Sequence, residues 1–152
     1  MLQRNQLHSY QERGVNHILD NEFCALFLDM GLGKTVTTLT AIKELLDGCI
    51  ISNALVIAPK KVTQVTWKDE IKNWAHLKDL TISVIDGNVK QRRAAMAAKA
   101  DIYAVSRDNI VWLVVECGGV KLPYDMVVID ELSSFKNHAS KRFRALRKVR
   151  TF

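Results

Sequence analysis

The chain has 152 residues, 48% of them hydrophobic and 25% charged, which fits one globular domain over 1–152 and excludes a disordered protein. Its formal net charge of +6 suits a polyanionic partner without proving one. No apolar run is long enough to cross a bilayer, and the polar start of the chain lacks the apolar core of a signal peptide, so we expect no membrane partner.

The cysteines and histidines have no metal-binding spacing. Cys24, Cys49 and Cys117 are isolated from one another, and the four histidines form no ligand pattern. We interpret the cysteines as reduced, buried thiols, as expected of a cytoplasmic protein.

Apolar strand-like runs alternate with helix-forming runs along the chain. A helix should open at Ser9, with Glu12 completing a capping box three residues on. Strands are predicted over 23–28, 53–58, 80–85, 101–105 and 126–129. Further helices are predicted over 35–46, 62–74, 89–100, 107–115 and 140–149. Because the strands are continuous apolar runs that alternate with helices, we expect an α/β fold, a parallel sheet covered by helices on both faces.

The turn between the first predicted strand and the next helix has the sequence D-M-G-L-G-K-T over 29–35. Glycines let a backbone curl so that several N–H groups point at one anion, and a helix N-terminus adds the positive end of its dipole. Lys34, which we also count as catalytic, can reach the β- and γ-phosphates of a nucleotide, and the Thr35 hydroxyl can hold Mg²⁺. The predicted nucleotide-binding residues of this turn are Gly31, Leu32, Gly33, Lys34, Thr35 and Val36.

The match to the general phosphate-loop pattern is incomplete. G-x-x-x-x-G-K-[ST] would place its first glycine at Leu28. A glycine-rich turn before an ordinary helix is therefore the alternative interpretation.

An acidic pair, Asp130-Glu131, follows the last predicted strand. Nucleotide sites on parallel sheets lie at the carboxyl ends of the strands. We therefore predict that Asp130 holds Mg²⁺ and that Glu131 is the catalytic base, orienting and deprotonating the attacking water. Two solvated acids at a strand end are the alternative interpretation.

Together these motifs resemble the first, RecA-like motor lobe of a superfamily 2 helicase of the Swi/Snf type, a three-layer P-loop fold. The phosphate loop of that branch reads D-E-M-G-L-G-K-T, and this chain has L-D-M-G-L-G-K-T over 28–35. The segment L-H-S-Y-Q-E-R-G-V-N over 7–16 is similar to the branch's L-R-P-Y-Q-x-x-G-V-N. V-I-A-P-K-K over 56–61 resembles motif Ia, and V-S-R-D over 105–108 falls where motif Ib lies.

The last family motifs match in part. Asp130-Glu131-Leu132-Ser133 stands where the family has D-E-A-H or D-E-A-Q. Phe135-Lys136-Asn137 matches the branch's [IL]-K-N, and Ser140-Lys141 follows at the usual place. The departure at Leu132-Ser133 leaves the metal ligand and the base intact.

The resemblance implies further roles. Gln11 would contact adenine, so the implied cofactors are ATP and Mg²⁺. Four positions after two strands would contact backbone phosphates of duplex DNA: Lys60, Lys61, Ser106 and Arg107. The complete protein would be a DNA-dependent ATPase that couples hydrolysis to movement on duplex DNA. A non-catalytic nucleic-acid-binding or interaction module that retains the motifs is the alternative.

Two features of the family are absent from the sequence: the next motif, Thr-Gly-Thr-Pro, and the second motor lobe with its arginine fingers. We therefore expect an incomplete lobe, truncated before motif III, that hydrolyses ATP very weakly or not at all without the second lobe. The strand of the missing motif would lie beside the strand predicted over 23–28.

The last predicted helix, 140–149, is strongly basic. Phe143, Leu146 and Val149 repeat at intervals of three, so one side of this helix can pack on a sheet. We interpret its basic remainder as a solvated face rather than a DNA site. Trp67 and Trp74 share a helix face and are interpreted as core residues rather than base-stacking platforms.

Overall fold

A computed structural model describes residues 1–131 and 140–149 of the chain. The chain forms two compact units. The first contains Met1–Ile51 and Thr66–Leu80, and the second contains Ser52–Val65 and Thr81–Phe152. Within the described ranges, no helix combines the length and the apolar character needed to cross a membrane.

The first unit is helical. Its helices are α1 (Ser9–Asp20), α2 (Lys34–Asp47) and α3 (Trp67–Asn73), and α2 packs against both of the others. A turn of π-helix, Val62–Thr66, precedes α3 where one continuous helix over 62–74 was predicted. The core of this unit includes Val15, Leu39, Ile42, Trp67 and Leu77, all fully buried.

The second unit is built on a four-stranded parallel sheet. The strands are β1 (Ala54–Ala58), β2 (Ile82–Ile85), β3 (Ile102–Ser106) and β4 (Met126–Ile129), in the spatial order β2-β3-β1-β4. β1 and β3 pair along their whole length, and all five residues of each are buried. The α/β fold with a parallel sheet is confirmed, with strand ends shifted by one or two residues.

Three helices cover one face of this sheet: α4 (Val89–Ala97), α5 (Ile110–Glu116) and α6 (Lys141–Val149). They pack on a core that takes alternate residues of the strands, among them Leu55, Ile57, Tyr103 and Val105. The intervening residues, such as Val56 and Ala104, point to the other face and are equally buried. Both faces of the sheet are therefore covered, as predicted.

The strand predicted over 23–28 is wrong. This segment is irregular and is not part of the described sheet. Phe27 is 93% exposed, although its sequence context suggested a buried strand. A strand requires a neighbour for its ladder hydrogen bonds. The neighbour that the family resemblance assigns to this segment, the strand of the Thr-Gly-Thr-Pro motif, does not occur in the sequence.

The interpretation of the cysteines as buried thiols is also wrong. Cys24 and Cys49 are exposed and Cys117 is half-buried, and all three are free thiols. Cys24 lies in the irregular segment just described, and Cys49 lies two residues after the end of α2. The apolar runs beside them therefore do not continue into the core at these positions.

Candidate nucleotide and nucleic-acid site

Two glycines shape the predicted phosphate loop. Gly31 and Gly33 have φ angles of 82° and 74°, in the left-handed region that favours glycine. Gly33 is the residue immediately before α2, so Lys34 and Thr35 occupy the first turn of that helix. The first N–H groups of a helix have no acceptor within the helix. The loop therefore ends at an anion-attracting helix N-terminus, as the sequence predicted.

The Lys34 side chain folds back over its own loop. Its Nζ donates to the carbonyl oxygen of Leu28 at 2.6 Å and to that of Asp29 at 3.0 Å. Two neutral carbonyls hold the ammonium group at the inner side of the turn.

The remaining predicted loop residues differ in exposure. Gly31 and Leu32 are exposed, and Gly33 and Thr35 are half-buried. Val36 is buried within α2, so only its backbone N–H could serve a ligand.

Gln11 links α1 to the phosphate loop. Its Oε1 accepts from the His8 N–H at 2.8 Å, and its Nε2 donates to the Leu32 carbonyl oxygen at 3.3 Å. The side chain is nearly buried, at 6% exposure. The capping box was predicted one residue too late. The N-cap residue is His8 rather than Ser9, and the side chain that accepts from its N–H is Gln11 rather than Glu12.

Gly33 lies directly against Gln11. A Cβ built on Gly33 would lie 2.2 Å from Gln11 Nε2. The same construction on Gly31 meets nothing within 4 Å. Gln11 thus supports the loop at Gly33 and not at Gly31.

A cavity of about 620 Å³ lies beside this contact, within the first unit. Gln11, Gly31 and Gly33 line it together with residues that the sequence analysis did not assign to the site, among them His8, Tyr10, Glu70 and Trp74. The rings of His8 and Tyr10 stack with their centroids 5.4 Å apart. Tyr10 precedes Gln11 in the Y-Q motif, and this adjacency was the available sequence signal. Trp74 is buried and donates from Nε1 to Glu70 at 2.9 Å, and Trp67 is buried too, so the core interpretation of both is confirmed.

The acidic pair of the second unit follows β4 as predicted. The Asp130 N–H donates to the Ile57 carbonyl oxygen at 2.8 Å, which extends the pairing with β1 by one residue. Glu131 has a φ of 59°, an uncommon conformation for a residue with a side chain. Glu131 therefore leaves the extended conformation of β4, and its side chain is exposed at the carboxyl edge of the sheet.

Two of the basic residues predicted to contact DNA, Lys60 and Arg107, lie at the same edge, each next to an acid. Lys60 Nζ is 3.4 Å from Asp86 Oδ2, and Arg107 Nη1 is 3.8 Å from Glu131 Oε2. The Gly87 backbone N–H holds the pKa of Asp86 below its ordinary value, with smaller contributions from Gln64 and Lys60. Carboxylates thus already neutralise two of the four predicted DNA contacts.

The other two residues predicted to contact DNA, Lys61 and Ser106, differ in their exposure to solvent. Lys61 is exposed. Ser106 is 3% exposed at the end of β3, so its side chain is not available at the surface.

Several predicted motif positions lie outside the described residues: Leu132, Ser133, Phe135, Lys136 and Asn137. Ser140 and Lys141 are described again, and the Ser140 Oγ accepts from the Phe143 N–H at the start of α6. Within 1–131 and 140–149, no three His, Cys, Asp or Glu side chains form a metal-binding group.

A glycine-lysine loop at a helix N-terminus and an acidic pair at the carboxyl edge of a parallel sheet are the features of a P-loop α/β lobe with a RecA-like fold. The family model described as the SNF2-related domain matches residues 10–152. The chain belongs to this family and represents the first, ATP-binding motor lobe of a Swi/Snf-type protein of helicase superfamily 2.

Curated relatives extend well beyond this chain. It is 39% identical over 146 residues to "Putative protein p41" of Acyrthosiphon pisum secondary endosymbiont phage 1, covering 92% of this chain and 32% of that protein. It is 28% identical over 163 residues to chromodomain-helicase-DNA-binding protein 8 of Danio rerio, covering 94% of this chain and 6% of that protein. The chain thus spans a third or less of the length of these relatives.

Solved structures confirm the fold. The SWI2/SNF2 ATPase core of Sulfolobus solfataricus, solved in complex with dsDNA, matches 95% of this chain and 30% of its own with a TM-score of 0.80 at 24% identity. The UvsW helicase of bacteriophage T4 matches 93% of this chain and 49% of its own with a TM-score of 0.66 at 17% identity.

Proposed function

We propose that this lobe binds ATP with Mg²⁺ and that, with a second motor lobe, it hydrolyses ATP to move along duplex DNA. The observation that carries the proposal is the position of Lys34, whose ammonium group rests on two carbonyls of the loop it follows. Hydrogen bonds from an ammonium group to phosphate are stronger than those to neutral carbonyls. A bound triphosphate would therefore replace the two carbonyl oxygens as the acceptor of the Lys34 ammonium group, with little movement of the backbone.

The Gln11 amide supports a preference for adenine. A glutamine amide can pair with adenine through one donor and one acceptor, at N7 and N6, whereas guanine presents two acceptors there. In this structure the Gln11 donor serves Leu32 of the phosphate loop. We infer that bound adenine accepts the hydrogen bond that Gln11 Nε2 now gives to Leu32. Adenine binding would then free the phosphate loop from Gln11, and the loop could close around the phosphates.

The chemical step is assigned to the acids. Thr35 and Asp130 would hold Mg²⁺, and Glu131 would orient and deprotonate water, as in other P-loop hydrolases. Lys60, Lys61, Arg107 and the backbone at Ser106 would contact DNA phosphates, and such contacts position the protein without reading sequence. Lys60 and Arg107 would leave their acidic partners to do so.

The Lys34→Ala variant tests nucleotide binding. Loss of the ammonium group should abolish binding of a fluorescent ATP analogue to the chain. Lys43→Ala is the matched control, because Lys43 lies on the same helix and pairs with Asp47 instead. Micromolar ATP affinity retained by Lys34→Ala would defeat the assignment.

The non-catalytic alternative is not favoured, because Lys34, Asp130 and Glu131 are all present and placed on the loop and strand end that the family uses. The enzyme and the non-catalytic module can be distinguished by measuring ATP hydrolysis in a polypeptide that carries both motor lobes. DNA-stimulated hydrolysis that disappears in Glu131→Gln supports the enzyme, and binding without hydrolysis supports the module.

A further inference from the structure

The positive charge of this chain is concentrated on α4 and α6. These two helices contain eight of the 22 Lys and Arg residues and no acid, and α5 adds only Glu116. The three helices together therefore carry a formal +7, whereas the whole chain carries +6. The rest of the chain is close to neutral, so the basic character of the protein is a property of this surface.

The charge lies on one side of the second unit. α4, α5 and α6 pack on the same core, through residues such as Met96, Leu113 and Leu146. α5 contacts α6 directly and meets α4 through Glu116, which pairs with Arg93. The surface formed by α4, α5 and α6 is called the three-helix surface below. α4 and α6 therefore form two basic rows on either side of α5.

Three of these eight cations have a named partner among the described residues. Arg93 pairs with Glu116, Arg142 pairs with Asp108, and Arg92 lies over the Trp112 ring at 5.0 Å. Four others are exposed and form no ion pair with any residue of 1–131 or 140–149: Lys90, Lys141, Arg147 and Lys148.

The cations in the first turns of α4 and α6 lie where they do not favour folding. Lys90 lies in the first turn of α4, and Lys141 and Arg142 lie in the first turn of α6, where neither helix has an acid. Cations near the positive end of a helix dipole are unfavourable by about 0.3–1 kcal/mol each. A stability role therefore does not explain Lys90 and Lys141, whereas an external anion would. Arg147 and Lys148 lie in the last turn of α6, where their charge suits the helix dipole.

The three-helix surface continues from the edge where DNA contacts were assigned. α4 follows β2 through Asp86, the partner of Lys60. α6 is fixed at its start by the pair between Arg142 and Asp108, the residue after Arg107. Both basic rows therefore begin at the carboxyl edge of the sheet.

We propose that the three-helix surface binds the phosphate backbone of duplex DNA, as an extension of the contacts at the carboxyl edge. This proposal replaces the interpretation of the basic residues over 140–149 as a solvated face. The inference rests on the proposed function for its DNA partner. A duplex carries one negative charge per about 1.7 Å of its axis, which suits two long rows of cations. An acidic protein is the competing partner, and the test includes it.

The test measures binding of a short fluorescein-labelled duplex to the 152-residue chain as salt rises from about 50 to 200 mM. The helix variant is Lys90→Gln with Arg147→Gln and Lys148→Gln. The edge variant is Lys60→Gln with Lys61→Gln and Arg107→Gln. The control variant removes three exposed cations elsewhere: Arg13→Gln, Lys78→Gln and Lys121→Gln. All three variants lower the formal charge by the same amount, so a general charge effect would act on them equally.

We expect the helix variant to bind duplex at least about tenfold more weakly than the control variant. We also expect the slope of log affinity against log salt to fall by about 2.7, because each lost phosphate contact removes about 0.9. Equal binding by the helix and control variants would overturn the proposal, as would poly-glutamate that competes as well as unlabelled duplex. If the edge variant alone loses binding, the proposed function stands and this inference fails. If the helix variant alone loses binding, the edge assignment fails.

Discussion

Arg107 and Glu131 form an ion pair across the end of β1, with 3.8 Å between Nη1 and Oε2. The sequence assigned these residues to separate tasks, a DNA contact and the catalytic base. Their pairing means that, without DNA, the arginine and the carboxylate satisfy each other. Both side chains are partly exposed, and such surface pairs contribute about 0–1 kcal/mol. In the proposed complex with DNA, a phosphate would displace Glu131 from Arg107 at little cost.

The first prediction concerns Arg107→Gln in a polypeptide that carries both motor lobes. Without the guanidinium group, Glu131 is free to accept from water whether or not DNA is bound. We expect DNA-independent ATP hydrolysis to rise at least twofold and the stimulation by DNA to fall. The measurement is the steady-state hydrolysis rate with and without saturating duplex.

Lys78→Gln serves as the control for this experiment, because it removes one exposed cation from the first unit. It should leave both rates unchanged. A parallel fall of the basal and DNA-stimulated rates in Arg107→Gln would contradict the prediction.

The second prediction concerns the contact between Gln11 and Gly33. Gly33→Ala places a Cβ against the Gln11 amide and also strains a residue with positive φ, which costs about 1–2 kcal/mol. Displacing the nearly buried amide from His8 and Leu32 should add about 1–3 kcal/mol. In a Gln11→Ala background only the backbone strain and a 3.2 Å contact with Val36 remain, so Gly33→Ala should cost less there.

Urea unfolding of the two single variants and the double variant measures this coupling, which we expect to be about 1 kcal/mol or more. Gly31→Ala is the matched control. Gly31 also has positive φ but has open space around it, so its cost should not depend on Gln11. Additive costs for Gly33→Ala and Gln11→Ala would show that the amide does not support the loop.

Much of the fold was predictable from the sequence because it follows from local patterns. Continuous apolar runs identified β1 and β4, and the glycine-lysine turn located the start of α2 within one residue. The segment over 23–28 has the same apolar pattern and still forms no strand. Its state depends on a neighbouring strand, and a single-sequence pattern does not contain that information.

The candidate site divides in the same way. The curled backbone at Gly31 and Gly33 could be predicted from residue type and spacing alone, because glycine tolerates positive φ. The bond from Gln11 to Leu32 and the pair between Arg107 and Glu131 join residues more than twenty positions apart. Such contacts depend on tertiary geometry. The sequence therefore identified these residues but did not predict that they contact each other.

The third prediction concerns His76 and pH. Burial lowers the pKa of His76, and the charge of Arg4 adds to the effect against smaller opposing contributions from Glu44 and Glu12. Its Nε2 bonds to Thr40 Oγ1 at 2.9 Å, and its buried Nδ1 has no partner among the described residues. The folded state therefore binds a proton less readily than the unfolded chain. The stability contributed by neutral His76 is present above the ordinary pKa near 6.5 and is lost as pH falls through the lower, folded-state value.

Urea unfolding at a series of pH values between about 8 and 5 tests this in the window set by that lowered pKa. His76→Gln keeps a polar side chain toward Thr40 but does not titrate, so its stability should fall less than that of the wild-type chain over this range. His17→Gln, which removes an exposed histidine, should behave as the wild type does. If His76→Gln and the wild type lose stability in parallel, the neutral imidazole is not what stabilises the contact between α2 and the turn after α3.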